Sequence, residues 1–188
     1  MKTAFTILVF LGALGSGLMA GVFFAFSNFV MAALKRLAPA EGIRAMQAIN
    51  VTVLNRLFLS VFMGTGAISI AAIVLSFLQP APVGYYALFG AAVYLLGCIL
   101  VTMRGNVPLN KALAALDLQA PDAPARWSDY VRDWTRWNHV RTAACVVALV
   151  LFILAITELR WFYIMSLHEL GGLQWMNEQL GIGHPGAP

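Results

Sequence analysis

The sequence predicts an all-α integral membrane protein, a four-helix bundle with juxtamembrane helical extensions on its cytoplasmic side. Three observations carry that prediction. Hydrophobic residues make up 61% of the 188-residue chain and charged residues only 11%, whereas soluble domains carry roughly a quarter charged residues. The mean hydropathy is +0.80. Charged residues are absent between Lys2 and Lys35, and again between Arg56 and Arg104.

Each span follows from the length an apolar run needs. About 20 residues of helix cross roughly 30 Å of hydrocarbon. The first run, "AFTILVFLGALGSGLMAGVFFAFSNFVMAAL", fills residues 4–34. It does not stop at a small-residue cleavage site, so it reads as a span rather than a signal peptide. The second charge-free stretch holds two spans, about 57–78 and 85–103, divided by the breaker "QPAPVG". A fourth occupies about 140–160 and closes on Arg160 and "WFY". Residues 1–167 form one transmembrane domain and residues 168–188 a tail, with a short surface helix expected around Leu173, Met176 and Leu180 and disorder beyond Gly181.

Lys and Arg set the orientation. The two long loops carry Lys35, Arg36, Arg44, Arg56, Arg104, Lys111, Arg126, Arg132, Arg136 and Arg141, ten in all, against Lys2 and Arg160 on the other side. The positive-inside rule places those loops in the cytoplasm and both termini outside. Tyr85, Tyr86, Trp161, Phe162 and Tyr163 then form the outer aromatic belt. The net charge of +4 is explained by this topology and by anionic lipid headgroups, so no nucleic acid is called for.

The loops carry helical patterns of their own. After Pro39, the residues Ile43, Met46, Asn50, Leu54, Leu57, Val61 and Gly64 share one face, which predicts a helix continuing directly into the second span. "APDAPA" breaks the long loop, and from Arg126 an unbroken helix runs into the fourth span. On that helix Trp127, Tyr130, Trp134, Trp137, Asn138, Arg141 and Cys145 fall within about 100° of arc. Arg126, Asp129, Arg132, Asp133 and Arg136 lie opposite, with Asp129–Arg132 and Asp133–Arg136 spaced for surface pairing.

Candidate site residues come from polar groups that the membrane should penalise. Arg141 shares the inward face with Trp134, Trp137 and Asn138. It either snorkels to headgroups or faces the bundle interior, where it holds an oxyanion or enolate or pairs with a carboxylate such as Glu41. Asn106 and Asn110, four apart in "NVPLN", either cap and kink a helix around Pro108 or point into a pocket at the inner mouth of the bundle. Asn28 shares a face with Gly17 and Gly21, whose spacing allows close helix approach, so its amide is expected to face protein, as interhelical glue or as a ligand contact. His139 lies at the edge of the solvated face, an interfacial histidine or an acid–base group. His139, His168 and His184 fall on opposite sides of the membrane, so no pair shares a metal. Cys98 and Cys145 lie inside spans without metal spacing and read as buried apolar thiols.

Four stretches in fixed order carry a resemblance: "GLMAGVFFAFSNFVMAAL", "AMQAIN", "NVPLN" and "WTRWNHVRT". Over roughly residues 5–157 the chain resembles the anthrone-oxygenase-like family of small four-helix membrane proteins, found widely in bacteria as a domain of unknown function. The resemblance implies a bacterial cytoplasmic (inner) membrane location. It also implies oxidation of an anthrone to an anthraquinone by molecular oxygen, with no metal, flavin or other cofactor. Such an enzyme must bind a flat ring, remove a proton and stabilise the resulting anion. Arg141, Asn138 and His139 would be the catalytic groups, with Glu41 as an alternative base. Trp134, Trp137, Asn106, Asn110, Asn28 and Asn50 would bind the substrate.

The expected function is therefore a cofactor-independent oxygenase acting on a hydrophobic anthrone- or quinol-like aromatic. The alternative is a non-catalytic membrane protein that binds a lipid, a quinone or a partner subunit. Expected partners are the lipid bilayer, the aromatic small molecule and oxygen; a homo-oligomer is compatible with the sequence.

Overall fold

A helix buried on one stripe and apolar on the other suits a bilayer, and this stripe pattern organises the whole chain. The computed structural model describes the backbone of residues 2–180 and the side chains of residues 3–161, 164 and 165. The expectations for Phe162, Tyr163, His168, His184, the tail side chains and the disorder beyond Gly181 fall outside the described residues.

The elements are all helical, as the sequence predicts. Helix α1 (Lys2–Ala25) passes through a π-helical segment, Phe26–Val30, into α2 (Met31–Lys35). Helix α3 (Pro39–Thr52) follows, then α4 (Arg56–Ser76) and α5 (Val83–Tyr94). Two further π segments, Leu95–Leu100 and Thr102–Asn106, lead from α5 into α6 (Val107–Ala114), and α7 spans Ala123–Leu180. Four rods are long and apolar enough to cross a membrane: Thr3–Lys35, Arg56–Ser76, Val83–Ala114 and the Ala123–Trp161 part of α7. The rods form a closed ring in which α1 packs on α7 and α4, and α5 packs on the same two.

Two apolar cores are stacked along the bundle. The first lies among the spans and includes Phe5, Val9, Met19, Phe23, Phe62, Tyr94, Cys98, Cys145 and Phe152. The second caps the loop end, where Met31, Leu34, Ile43, Met46, Leu113, Trp127, Tyr130 and Trp134 join α2, α3, α6 and the start of α7. Outward-facing Phe10, Leu14, Phe24, Val74, Phe77, Phe89, Leu96 and Val150 form the apolar face that hydrocarbon would cover.

Two local expectations are corrected. Helix α3 does not run into the second span: it ends at Thr52, and Asn55 starts α4 by accepting the Phe58 N–H at 3.0 Å. This N-cap outcompetes continuation through the β-branched Val51–Val53 stretch, and leaves Leu54 and Leu57 exposed rather than on a buried face. Asn106 does not cap a helix. Its side chain makes no capping bond, and the rod continues through it, with Val107 N–H bonding Thr102 O five residues back.

Candidate functional site

The polar groups meet between the two cores, at the level of the π segments. Trp134 is the last α7 residue of the loop-end core and Cys145 the next α7 residue to enter the membrane core. Between them stand Asn138 and Arg141, 0% and 5% exposed. Helical spacing puts both on the inward face, as the sequence predicts.

Asn138 ties α7 to α1. Its Nδ2 donates to Phe23 O and to Ser27 Oγ, each at 2.7 Å. Thr142, one turn on, donates to Asn138 O at 2.9 Å and lies 3.1 Å from Ser27 Oγ. That leaves the Ser27 hydroxyl to donate to Thr142 while accepting from Asn138. Asn138 Oδ1 then accepts from Arg141 NH2 at 2.7 Å. Arg141 NH1 reaches Thr102 Oγ1 at 3.4 Å, and Thr102 itself donates to Cys98 O at 2.7 Å. The guanidinium sits 4.2 Å from the Phe23 ring centroid and 5.1 Å from that of Trp134, within cation–π range.

Among the described residues none of the ion pairs includes Arg141, and its Nε is buried with no hydrogen-bond partner. Glu41 does not fill that role: it is exposed in the first turn of α3. Snorkelling is ruled out by burial.

A second network lies one layer toward the loops. Asn110 Oδ1 accepts both Trp134 Nε1 at 2.8 Å and Tyr130 Oη at 2.9 Å, and Asn50 Nδ2 approaches Tyr130 Oη at 3.4 Å. Asn106, 1% exposed, donates to Trp134 O at 3.1 Å and leaves Oδ1 buried without a partner. Trp134 therefore bridges the layers, with its indole on Asn110 and its face toward Arg141. Close packing supports the wall: a Cβ on Gly42 would lie 2.8 Å from Trp127, and one on Gly105 would lie 2.6 Å from Trp137.

The structure brings together Arg141, Asn138, Trp134, Asn106, Asn110 and Asn50, and leaves three candidates aside. Trp137 is 43% exposed and lies over Gly105 rather than facing the guanidinium. Asn28 is exposed, because the buried stripe of the first rod runs through Ser16, Met19, Ala20 and Phe23 and misses the Gly17–Gly21 face. Gly21 meets nothing within 4 Å, so that pair is not the close approach. His139 is exposed and lines an outer cleft of about 490 Å³ with Ser27, Met31, Lys35, Thr135 and Arg136. Sequence reasoning missed Phe23, Ser27, Thr102 and Thr142. The one available signal was spacing, since Thr142 follows Asn138 by one turn. Ser27 and Thr102 look like ordinary small polar residues in a span. No cluster of metal-ligating side chains occurs among the described residues.

Comparison with known proteins adds three findings. The chain is 37% identical over 91 residues to mouse acyl-CoA wax alcohol acyltransferase 1, a stretch covering 48% of this chain and 27% of that protein. The match thus spans about a quarter of that relative's length. No solved structure matches. The family described as anthrone oxygenase matches residues 54–151, which include "NVPLN", Asn138 and Arg141. That is just over half the chain, and with the four apolar rods it establishes the protein as a membrane protein belonging to the anthrone oxygenase family.

Proposed function

We propose that the chain is a cofactor-independent oxygenase acting on a hydrophobic aromatic, anthrone- or quinol-like, at the membrane. The observation that carries this reading is Arg141: a guanidinium 5% exposed, lacking a carboxylate partner among the described residues, and flanked by two aromatic faces. Burying an unpaired charge costs several kcal/mol, about what a low-dielectric site returns when it stabilises an anion.

The chemistry asks little more of the protein. Proton loss from the ring CH₂ of an anthrone gives an enolate, which Arg141 holds as the oxyanion while Asn138 fixes the guanidinium in place. The electron-rich anion reduces molecular oxygen directly. One oxygen atom becomes the new carbonyl and the other leaves as water with the two hydrogens of the CH₂, so the carbon loses four electrons and oxygen gains four. Trp134 supplies the aromatic wall.

The ten-to-two bias of Lys and Arg supports loops in the cytoplasm, and so a site at the inner leaflet. A second reading, a non-catalytic protein whose polar layer locks the helices, is favoured by the fact that both Asn138 Nδ2 bonds run from α7 to the first rod. The likeness to a wax alcohol acyltransferase suggests a third activity, which the same experiment addresses.

The test is oxygen uptake by the purified full chain in detergent with anthrone as substrate. The expected result is anthraquinone formed with one oxygen consumed per anthrone and at least a hundredfold loss in Arg141→Met, the size seen when a preorganised charge donor is removed. Turnover of acyl-CoA and alcohol with no oxygen uptake would overturn the proposal. A haem or flavin band in the absorption spectrum of the active protein would overturn its cofactor independence.

A further inference from the structure

The seam between the first rod and α7 carries two features on one outward face. At the loop end is the cleft of about 490 Å³, lined by Lys35, Arg132, Arg136 and His139 together with Ser27, Ser128 and Thr135. Farther into the span lies an apolar groove of about 510 Å³, lined by Phe10, Leu14, Gly17, Leu18, Leu149 and Ile153 among others. Helical phase joins them on α7, where Ile153 and Leu149 of the groove and Thr135 of the cleft follow one another along one face.

The two halves differ in chemistry. Arg132 is occupied by Asp129 and Asp133, at 2.8 and 2.7 Å. Lys35 makes no ion pair among the described residues, and Arg136 reaches Asp133 only at 3.9 Å. Thr135 Oγ1 is buried with no hydrogen-bond partner. Two available cations at the end of an apolar run suit an anionic headgroup. From Ser27 at the cleft to Gly17 in the groove is ten residues, about 15 Å by helix rise. That is half of a roughly 30 Å hydrocarbon core, the depth of one leaflet.

We infer that this seam is a binding site for an anionic phospholipid, with the phosphate in the Lys35–Arg136 cleft and an acyl chain in the groove along Gly17 and Leu149. The site does not rest on the oxygenase reading. It touches that centre only through Ser27, so an occupied seam shields from water the bonds Ser27 makes with Asn138 and Thr142.

Native mass spectrometry of the full chain in detergent tests this directly. The sample is supplemented with phosphatidylglycerol or phosphatidylcholine, and in separate arms with glycerol 3-phosphate or inorganic phosphate. Retention of phosphatidylglycerol over phosphatidylcholine by at least tenfold is expected. Lys35→Gln combined with Arg136→Gln lowers it about thirtyfold, since each surface cation contributes about a factor of five. Gly17→Leu fills the groove, which Gly17 lines against Leu149, and lowers phosphatidylglycerol retention while leaving the cleft cations in place; the melting temperature of each variant shows that it is folded. Equal retention of the two lipids, or full retention by a folded charge variant, overturns the inference. So does displacement of phosphatidylglycerol by either soluble phosphate at equal concentration, or a dimer that forms without lipid and excludes it.

Discussion

Replacing Asn138 by alanine removes three side-chain hydrogen bonds at once, and the structure separates what each contributes. Two run to the first rod, to Phe23 O and Ser27 Oγ at 2.7 Å, and neutral bonds of this kind contribute about 1 kcal/mol each. The third accepts from the Arg141 guanidinium at 2.7 Å, and a bond to a charged group contributes about 2 kcal/mol. The expected loss is therefore about 4 kcal/mol, with Arg141 left almost unsolvated. Arg141→Met behaves differently. It forfeits the same charged bond but also removes a buried unpaired charge, whose desolvation costs several kcal/mol. Methionine fills most of the vacated volume, so the net change lies between neutral and stabilising.

The signs make a double-mutant cycle decisive. Arg141→Met introduced into Asn138→Ala should recover stability, because the second change removes the charge that the first orphaned. Denaturant unfolding of the four proteins in one detergent gives the cycle, and oxygen uptake with anthrone gives the functional axis. A charge retained for chemistry costs stability and supplies rate, so Arg141→Met should be at least as stable as the parent and nearly inactive. If Arg141→Met is as unstable as Asn138→Ala while its folded fraction keeps full turnover, the guanidinium is a structural strut and the argument for a site is refuted.

Three further outcomes follow from the same geometry. Asn110→Ala strands the Trp134 indole N–H and the Tyr130 hydroxyl, both of which it accepts within 2.9 Å, and should cost about 2 kcal/mol together with a shift in tryptophan emission. Gly42→Ala places a methyl 2.8 Å from the Trp127 ring and should destabilise by about 1–3 kcal/mol through overpacking, read as a lowered melting temperature. Asn28→Ala, on an exposed face, should change stability by no more than about 0.5 kcal/mol and leave oxygen uptake unchanged; a larger loss in either would show that this face is covered.

The sequence exposes the fold wherever one force dominates. Uninterrupted apolar runs cannot be other than spans, and the phase of α7 from Trp127 to Cys145 is set by helix geometry alone, so its inward face reads correctly apart from Trp137. The errors occur where local and tertiary preferences compete. The break between α3 and α4 depends on Asn55 as a cap, a signal overridden in the pattern by a longer apolar repeat. Asn28 was aligned to a pair of glycines, yet small residues mark close approach only where a partner helix arrives, and α7 and α4 arrive on the Ser16–Met19–Phe23 side instead. Ser27 and Thr102 are invisible for another reason. Hydroxyls in spans usually bond their own helix, and only the three-dimensional meeting of the first rod, the third rod and α7 brings these two to Asn138 and Arg141.

The π segments explain why the polar layer sits where it does. Phe26–Val30 in the first rod and Thr102–Asn106 in the third lie at the level of Asn138 and Arg141, between the two cores. A π turn carries an extra residue, and such turns concentrate at functional sites because the local widening re-aims side chains. In the first rod it lies between the membrane core, which ends at Phe23, and the loop-end core, which resumes at Met31, with Ser27 turned onto α7 between them. In the third rod it carries Thr102 and Asn106, one turn apart, onto Arg141 and Trp134. A chain selected only for stability would gain by closing the gap with leucine. That it holds instead a guanidinium without a counter-ion among the described residues and an amide oxygen without a donor is the physical reason to look for chemistry between the cores.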